Sequence, residues 1–319
     1  MDESRAMTLD LYKGDLLAAA RHWTDLESSE RRRKAVVAAQ AYDLPELWSL
    51  TEAHLLLYGG AGAALSSRTA RAYREGLTRF LQYAQANAFS LLRPARDAGP
   101  LYVRSMETAG LKPSSVRVHL AAVRAFFRAL RWAGVTESDP FADARPAKDR
   151  VAPWDKRSPY TGEEVAALLS AASQRDQVLI LLCAHGGLRI SEALALCWAD
   201  IEGQSLLVRQ GKGGKSRQVL LSGTLAEALA LFRKAGAEST ELVIGGTPEA
   251  ARKRLARLAR HTGIKNKGFH AFRHYAGTKL VSALSLEDAA RHLGHASIET
   301  TRVYAKWADT ALGEELKAW

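Results

Sequence analysis

Cysteine is scarce in this chain: 319 residues hold two, Cys183 and Cys197. Both sit in apolar runs, VLILLCA and ALALCWA, where a small buried side chain fits and a disulfide framework or cysteine metal site does not. A reducing cytoplasm is the expected location. Long hydrophobic runs are also missing, since none approaches the roughly 18 residues that span a bilayer, and MDESRAMTLDLY lacks the basic-then-apolar order of a secretion signal. No membrane partner and no export are expected. There is no internal repeat and no low-complexity tract, which sets aside solenoids and disordered arrays. Acidic residues fall short of basic ones, 34 against 45, for a net charge of +11. Residues 1–150 hold 22 basic and 17 acidic residues and the remainder 23 and 17, so the excess is shared by both halves. A polyanion touched by both halves suits that balance, with a generically basic soluble protein as the alternative.

What is present is ordinary globular composition, 47% hydrophobic and 25% charged, in a chain long enough for two cores. Residues 1–62 read as a helical extension that ends at GGAGAALSS, and its Arg31, Arg32, Arg33 and Lys34 read as a solvated helix start or a DNA contact. Residues 63–141 read as a small helical domain. In TARAYREGLTRFLQYA, Tyr73, Leu77, Phe80, Leu81 and Ala84 share one face while Arg71, Arg74 and Arg79 fall elsewhere. A second helix follows Pro113, with Ser114 or Ser115 as its cap, Val116, Leu120, Val123, Phe127 and Leu130 as its buried stripe, and Gly134 at its end. Arg117 and Arg124 belong to this helix.

Residues 142–159 carry three prolines and alternating charge, and read as an extended linker whose Lys148, Arg150, Lys156 and Arg157 can follow a phosphate backbone. The second domain, residues 160–319, opens at TGEE, a capping box on Thr161 and Glu164. Helical periodicity continues to His185, a Gly-Gly turn follows, and a new helix starts near Ile190. SLLVRQGKGGKSRQVLLSG then reads as two short strands around a basic turn, and the rest is helical. The fold class is mainly α with a small β-sheet.

GFHAFRHYA, residues 268–276, raises the question of chemistry. His270 and His274 lie one helical turn apart, as zinc ligands do. A zincin-type helix needs glutamate directly after the first histidine, where Ala271 stands, and Arg273 would set a cation beside the metal. An anion suits the same residues better: Arg273 offers a planar fork of donors matched to two phosphoryl oxygens, and His270 adds a donor or a base. In GGLRISEALAL, Arg189 stands at a helix start with Glu192 one turn on, able to hold its guanidinium. GKGGKSR offers Lys212, Lys215 and Arg217, and LGHASIETTRVY offers His295 and Tyr304. ARKRLARLAR sets Arg252 and Arg257 on a basic helix.

In their order and flanking residues, GLRISEAL, LCWADI, GKGGKSR, HAFRHYAGT and LGHASIETTRVY resemble the tyrosine recombinase, or phage integrase, family, which includes the Xer-type recombinases. The resemblance covers residues 160–319 and, less specifically, residues 66–141. It implies a SAM-like core-binding domain at 63–141, a catalytic domain with a C-terminal tail helix at 160–319, and a C-shaped clamp around DNA. It implies a catalytic set of Arg189, Lys212, His270, Arg273, His295 and Tyr304, with Glu192 supporting Arg189 and Lys215 as the competitor of Lys212. The DNA-contact candidates are Arg71, Arg74, Arg117, Arg124, Lys148, Arg150, Lys156, Arg157, Lys215, Arg217, Arg252 and Arg257. The implied activity is site-specific recombination through a 3′-phosphotyrosine on Tyr304, without metal or other cofactor. The implied partners are double-stranded DNA with a short, roughly palindromic site and three further subunits, either copies of this chain or a second recombinase. Phe272 departs from the leucine usual in the HxLRH motif, RQVLL lacks a frequent proline, and the first 60 residues exceed the usual Xer-type start.

Overall fold

The computed structural model describes residues 18, 20–149, 151, 158–209, 216–234, 236–294, 301 and 304. Chain contacts divide it into two compact units, 1–150 and 151–319, each with its own hydrophobic core.

The first unit contains α1 (Ser28–Ala41), α2 (Leu44–Tyr58), α3 (Ser67–Ala86), α4 (Ala98–Thr108) and α5 (Pro113–Trp132). Helix starts follow local chemistry. Asp43 accepts a hydrogen bond from the Glu46 amide at the head of α2, and Ser66 accepts one from Thr69 at the head of α3. Neither Ser114 nor Ser115 caps α5. Lys112 occupies the cap position and Pro113, with φ already set for a helix and no amide to satisfy, takes the first turn.

The buried stripe of α5 is the expected one, Val116, Leu120, Val123, Phe127 and Leu130. It meets Leu77, Phe80, Leu81 and Ala84 of α3. The two helices come close at Gly76, where an added Cβ would stand 2.8 Å from that of Ala122. Phe80 is the centre of an aromatic cluster, with the rings of Tyr102, Phe89 and Phe141 at 5.1, 5.3 and 5.5 Å. Burying one such ring contributes about 1.5–3 kcal/mol. The N-terminal helices share this core: Leu47, Leu50, Ala53 and Leu56 of α2 are buried in it.

Segment 142–149 forms no helix or strand, and it is tied down by side chains from α4 and α5. Arg124 donates to the carbonyls of Phe141 (3.0 Å), Ala142 (3.2 Å) and Ala144 (2.7 Å). Arg104 donates to the Arg145 carbonyl, and Glu107 accepts from the Ala147 amide. Arg124 is thus a staple for backbone carbonyls.

The second unit contains α6 (Gly162–Ala171), α7 (Gln174–Ala184), α8 (Ile190–Ala195), β1 (Ile201–Glu202), β2 (Ser205–Val208), β3 (Arg217–Leu220), α9 (Gly223–Phe232), α10 (Pro248–His261), α11 (Phe269–Ala283) and α12 (Leu286–Leu293). The capping box on Thr161 and Glu164 is present. The helix expected to run on to His185 breaks at Ser173, whose hydroxyl accepts from the Asp176 amide and starts α7. Every residue from Val178 to Ala184 is buried, and α11 and α9 pack against α7. The sheet is antiparallel in the order β1-β2-β3, with Leu206 opposite Val219, both buried. No helix among the described residues is long and apolar enough to cross a membrane.

Candidate active site

The loop between α7 and α8 places the first arginine. Gly187 has φ +63°, and a Cβ there would stand 2.6 Å from Leu293 Cδ2, so glycine is required on both counts. Arg189 then occupies the cap position of α8 and Glu192 its third residue. The buried Glu192 carboxylate accepts from the Arg189 amide (2.8 Å) and Nη1 (2.7 Å), and from Nη2 (2.7 Å) and Nη1 (3.2 Å) of Arg217. Burial alone would raise the Glu192 pKa, and these donors overcome it, holding the carboxyl at about 2.

Helix α11 places the second arginine. Gly268, φ +76°, stands at its cap, and His270 follows in the first turn, exposed. Lys267 secures this start by donating to Glu164 (2.6 Å) and to the Pro159 carbonyl (3.0 Å). Phe272 stacks on Tyr160 with ring centroids 4.3 Å apart, which gives the aromatic residue at this position a packing reason.

Arg273 is 1% exposed and donates to the carbonyls of Gly187 and, at 2.6 Å, Leu293. Burial, then the nearby Arg189 charge, lowers its pKa to about 10, so it stays protonated at neutral pH.

Tyr304 completes the group. It is 2% exposed, its ring lies on Gly277, and the Arg273 charge lies near its phenol. Burial raises its pKa, opposed by the charges of Arg273 and Arg189. The His274 ring lies 5.5 Å from the Tyr304 ring and 4.3 Å from that of His270.

Arg189, Glu192, Arg273 and Tyr304 are therefore brought together, with His270 reaching the group through His274. Lys212, Lys215, His295, Arg150, Lys156, Arg157 and the tail helix lie outside the described residues. Arg71, Arg74, Arg117, Lys148, Arg252 and Arg257 are exposed. Arg217 is not available to DNA as expected, because its side chain is 8% exposed and committed to Glu192. Gly277 went unread in the sequence as part of the site, and Arg217 was read as a DNA contact and not as a partner of Glu192.

Residues 160–310 match the phage integrase family, and residues 62–134 match the phage integrase N-terminal SAM-like domain. Tyrosine recombinase XerC of Xanthomonas campestris pv. campestris is 30% identical over 257 residues, covering 75% of this chain and 79% of the relative. The chain belongs to the tyrosine recombinase family. Tyrosine recombinase XerC of Chromohalobacter salexigens is also 30% identical, over 263 residues, covering 76% of this recombinase and 86% of the relative. Among solved structures, the XerH site-specific recombinase bound to palindromic difH substrate aligns with a TM-score of 0.64 at 21% identity, over 98% of this chain and 96% of that one. A lambda integrase dimer bound to a COC' core site aligns with a TM-score of 0.62 at 19% identity, over 76% and 90%. These likenesses show the fold. Membership makes the protein a site-specific DNA recombinase enzyme of Xer-like type.

Proposed function

We propose that this recombinase cuts and rejoins duplex DNA through a 3′-phosphotyrosine on Tyr304. The observation that carries the reading is the buried Tyr304 ring seated on Gly277 with the Arg273 and Arg189 charges near its phenol, Arg189 being held by Glu192. Attack by the phenolic oxygen on the scissile phosphorus forms the tyrosyl ester and breaks the bond to the 5′ oxygen. A phenol of pKa about 10 is ionised to roughly one part in a thousand at neutral pH. Burial of Tyr304 lowers that fraction further, so attack needs a base, and His270 is assigned that role.

As phosphorus becomes five-coordinate, charge builds on its nonbridging oxygens. Arg189 and Arg273 are the donors aimed there, joined by His295. Lys212 protonates the leaving 5′ oxygen. The phosphotyrosine keeps the energy of the broken bond, so a 5′ hydroxyl from a second duplex reverses the step and seals exchanged strands without ATP. The arginines supply the positive charge that a metal would otherwise bring.

Exchange between two duplexes calls for four active sites, from four copies of this chain or from pairs shared with a second recombinase, with the tail helix docking on a neighbour. A short, roughly palindromic site suits that symmetry, and the XerH structure contains a palindromic substrate. Exposed Arg71, Arg74, Arg117, Lys148, Arg252 and Arg257, joined by Arg150, Lys156, Arg157 and Lys215, supply phosphate contacts in a clamp closing on the duplex. The cytoplasm, at the nucleoid, is the compartment where such a substrate is met.

Rapid detergent denaturation after incubation with fragmented genomic DNA, followed by sequencing of covalently attached DNA, tests the reading. Adducts at one short site, absent from Tyr304→Phe, are expected. Wild-type protein that binds DNA and forms no adduct would overturn it.

A further inference from the structure

Arg217 opens β3, and its guanidinium faces inward. Two further segments meet on it. Both Nη atoms donate to Glu192 in α8, and Nε donates at 3.1 Å to the carbonyl of His292, near the end of α12. Gly294, the left-handed cap of α12 at φ +65°, makes room for it: a Cβ there would stand 2.6 Å from Arg217 Cδ.

Arg189 is held differently. Its side chain makes one hydrogen bond to Glu192, through Nη1 at 2.7 Å, and it is 28% exposed. A carboxylate facing one arginine alone closes on it in the two-bonded fork arrangement, the stronger geometry for that pair. Arg189 would then spend a second donor on Glu192, and the local charge would fall. With Arg217 present, Arg189, Arg217 and Arg273 set three positive charges against the single Glu192 carboxylate; without it, two face one.

We propose that Arg217 is a positioning residue for DNA cleavage: by taking a lone-pair direction on each Glu192 oxygen, it keeps the carboxylate from closing on Arg189 and leaves the remaining Arg189 donors aimed at the scissile phosphate. Its bond to His292 fixes the end of α12, three residues before His295. Arg217 acts through Glu192 and touches no reacting atom. The inference rests on the phosphotyrosine reading above.

The test compares wild type, Arg217→Ala and Arg217→Lys on a duplex bearing the site recovered from wild-type adducts, with the scissile phosphate either normal or replaced by a methylphosphonate. Arg217→Ala should bind the duplex within about threefold of wild type and form adduct about 100-fold more slowly, the scale of a small misplacement of a reacting group. Arg217→Lys, which keeps the charge without the fork, should fall between. A methylphosphonate lacks one nonbridging charge, so less depends on Arg189 and the deficit of Arg217→Ala should shrink at least tenfold on the order of one aimed donor's worth. A merely structural defect slows both substrates alike, and that result, or an unchanged rate, overturns the proposal.

A DNA-free measurement runs beside it. The Glu192→Gln, Arg217→Gln double-mutant cycle, read by urea denaturation, should show the two substitutions strongly non-additive. Additivity would remove the pairing on which the proposal depends. Wild type that forms no adduct would count against the phosphotyrosine reading, while the cycle still judges Arg217.

Discussion

Gly277→Ala is the sharpest perturbation the site offers. Gly277 lies inside α11, where alanine would ordinarily stabilise by about 0.5–1 kcal/mol. Here a Cβ would stand 2.5 Å from both Cδ2 and Cε2 of Tyr304 and 2.8 Å from its Cγ. Carbon atoms settle about 3.5–4.0 Å apart, so the ring must retreat by roughly 1–1.5 Å. A ring face is stiff, and this ring is buried against Arg273 and His274, with little room for a rotamer change.

The retreat draws the phenol away from Arg273. Overpacking of this kind costs about 1–3 kcal/mol, which offsets or exceeds the helix-propensity gain, so net stability should fall by about 0–2 kcal/mol. Activity should suffer far more, because a misplacement near 1 Å costs about 100-fold in rate. Single-turnover adduct formation in a quenched mixer, beside urea denaturation of the same variant, separates the two effects. Adduct formation within about threefold of wild type would refute the claim that cleavage depends on the ring seated against Gly277.

Other perturbations separate roles that look alike in sequence. Glu192→Gln leaves two arginines without their shared carboxylate and should destabilise by about 3–5 kcal/mol at neutral pH. Glu192 titrates at about 2 when folded against an ordinary 4.5, so its contribution is full above pH 4.5 and is lost as pH falls towards 2. The stability gap between wild type and Glu192→Gln should therefore narrow over that window in acid denaturant titrations, and a constant gap would contradict the assignment. Arg71→Ala should reduce the salt slope of DNA binding by about one, whereas Arg124→Ala should leave that slope alone and destabilise the first unit by about 1–3 kcal/mol. His54, His119, His185 and His292 are all shifted below 6.5, chiefly by burial, so the unfolded chain binds more protons below that pH. Melting temperature should fall as pH drops from 7 to 5, and a flat profile would count against half-buried neutral imidazoles.

Arg189 and Arg273 could be picked out as candidate site residues because each sits in a contiguous string with its own local logic: Arg189 follows a glycine turn and precedes a carboxylate by one helical turn, and Arg273 follows His270 on one face. The helix stripe of α5 was legible for the same reason, since its apolar spacing is written within twenty residues. The protein partners of Arg217 and Arg124 were not legible because a guanidinium serves a carbonyl, a carboxylate or a phosphate equally well, and sequence shows only that it is there. The Glu192 partner of Arg217 lies 25 residues away, and the carbonyls that hold Arg124 belong to a segment whose side chains predict no such contact. Gly277 was illegible for a related reason, because the ring it admits comes from residue 304 and no local pattern demands a glycine there. The break at Ser173 was hidden by apolar residues continuing on either side of it, and β1 is two residues long, too short to alternate. In a basic protein the residues that bind a polyanion and those that brace the site share one alphabet. Burial separates them: Arg71 and Arg252 are exposed, whereas Arg217 is enclosed and bonded to Glu192.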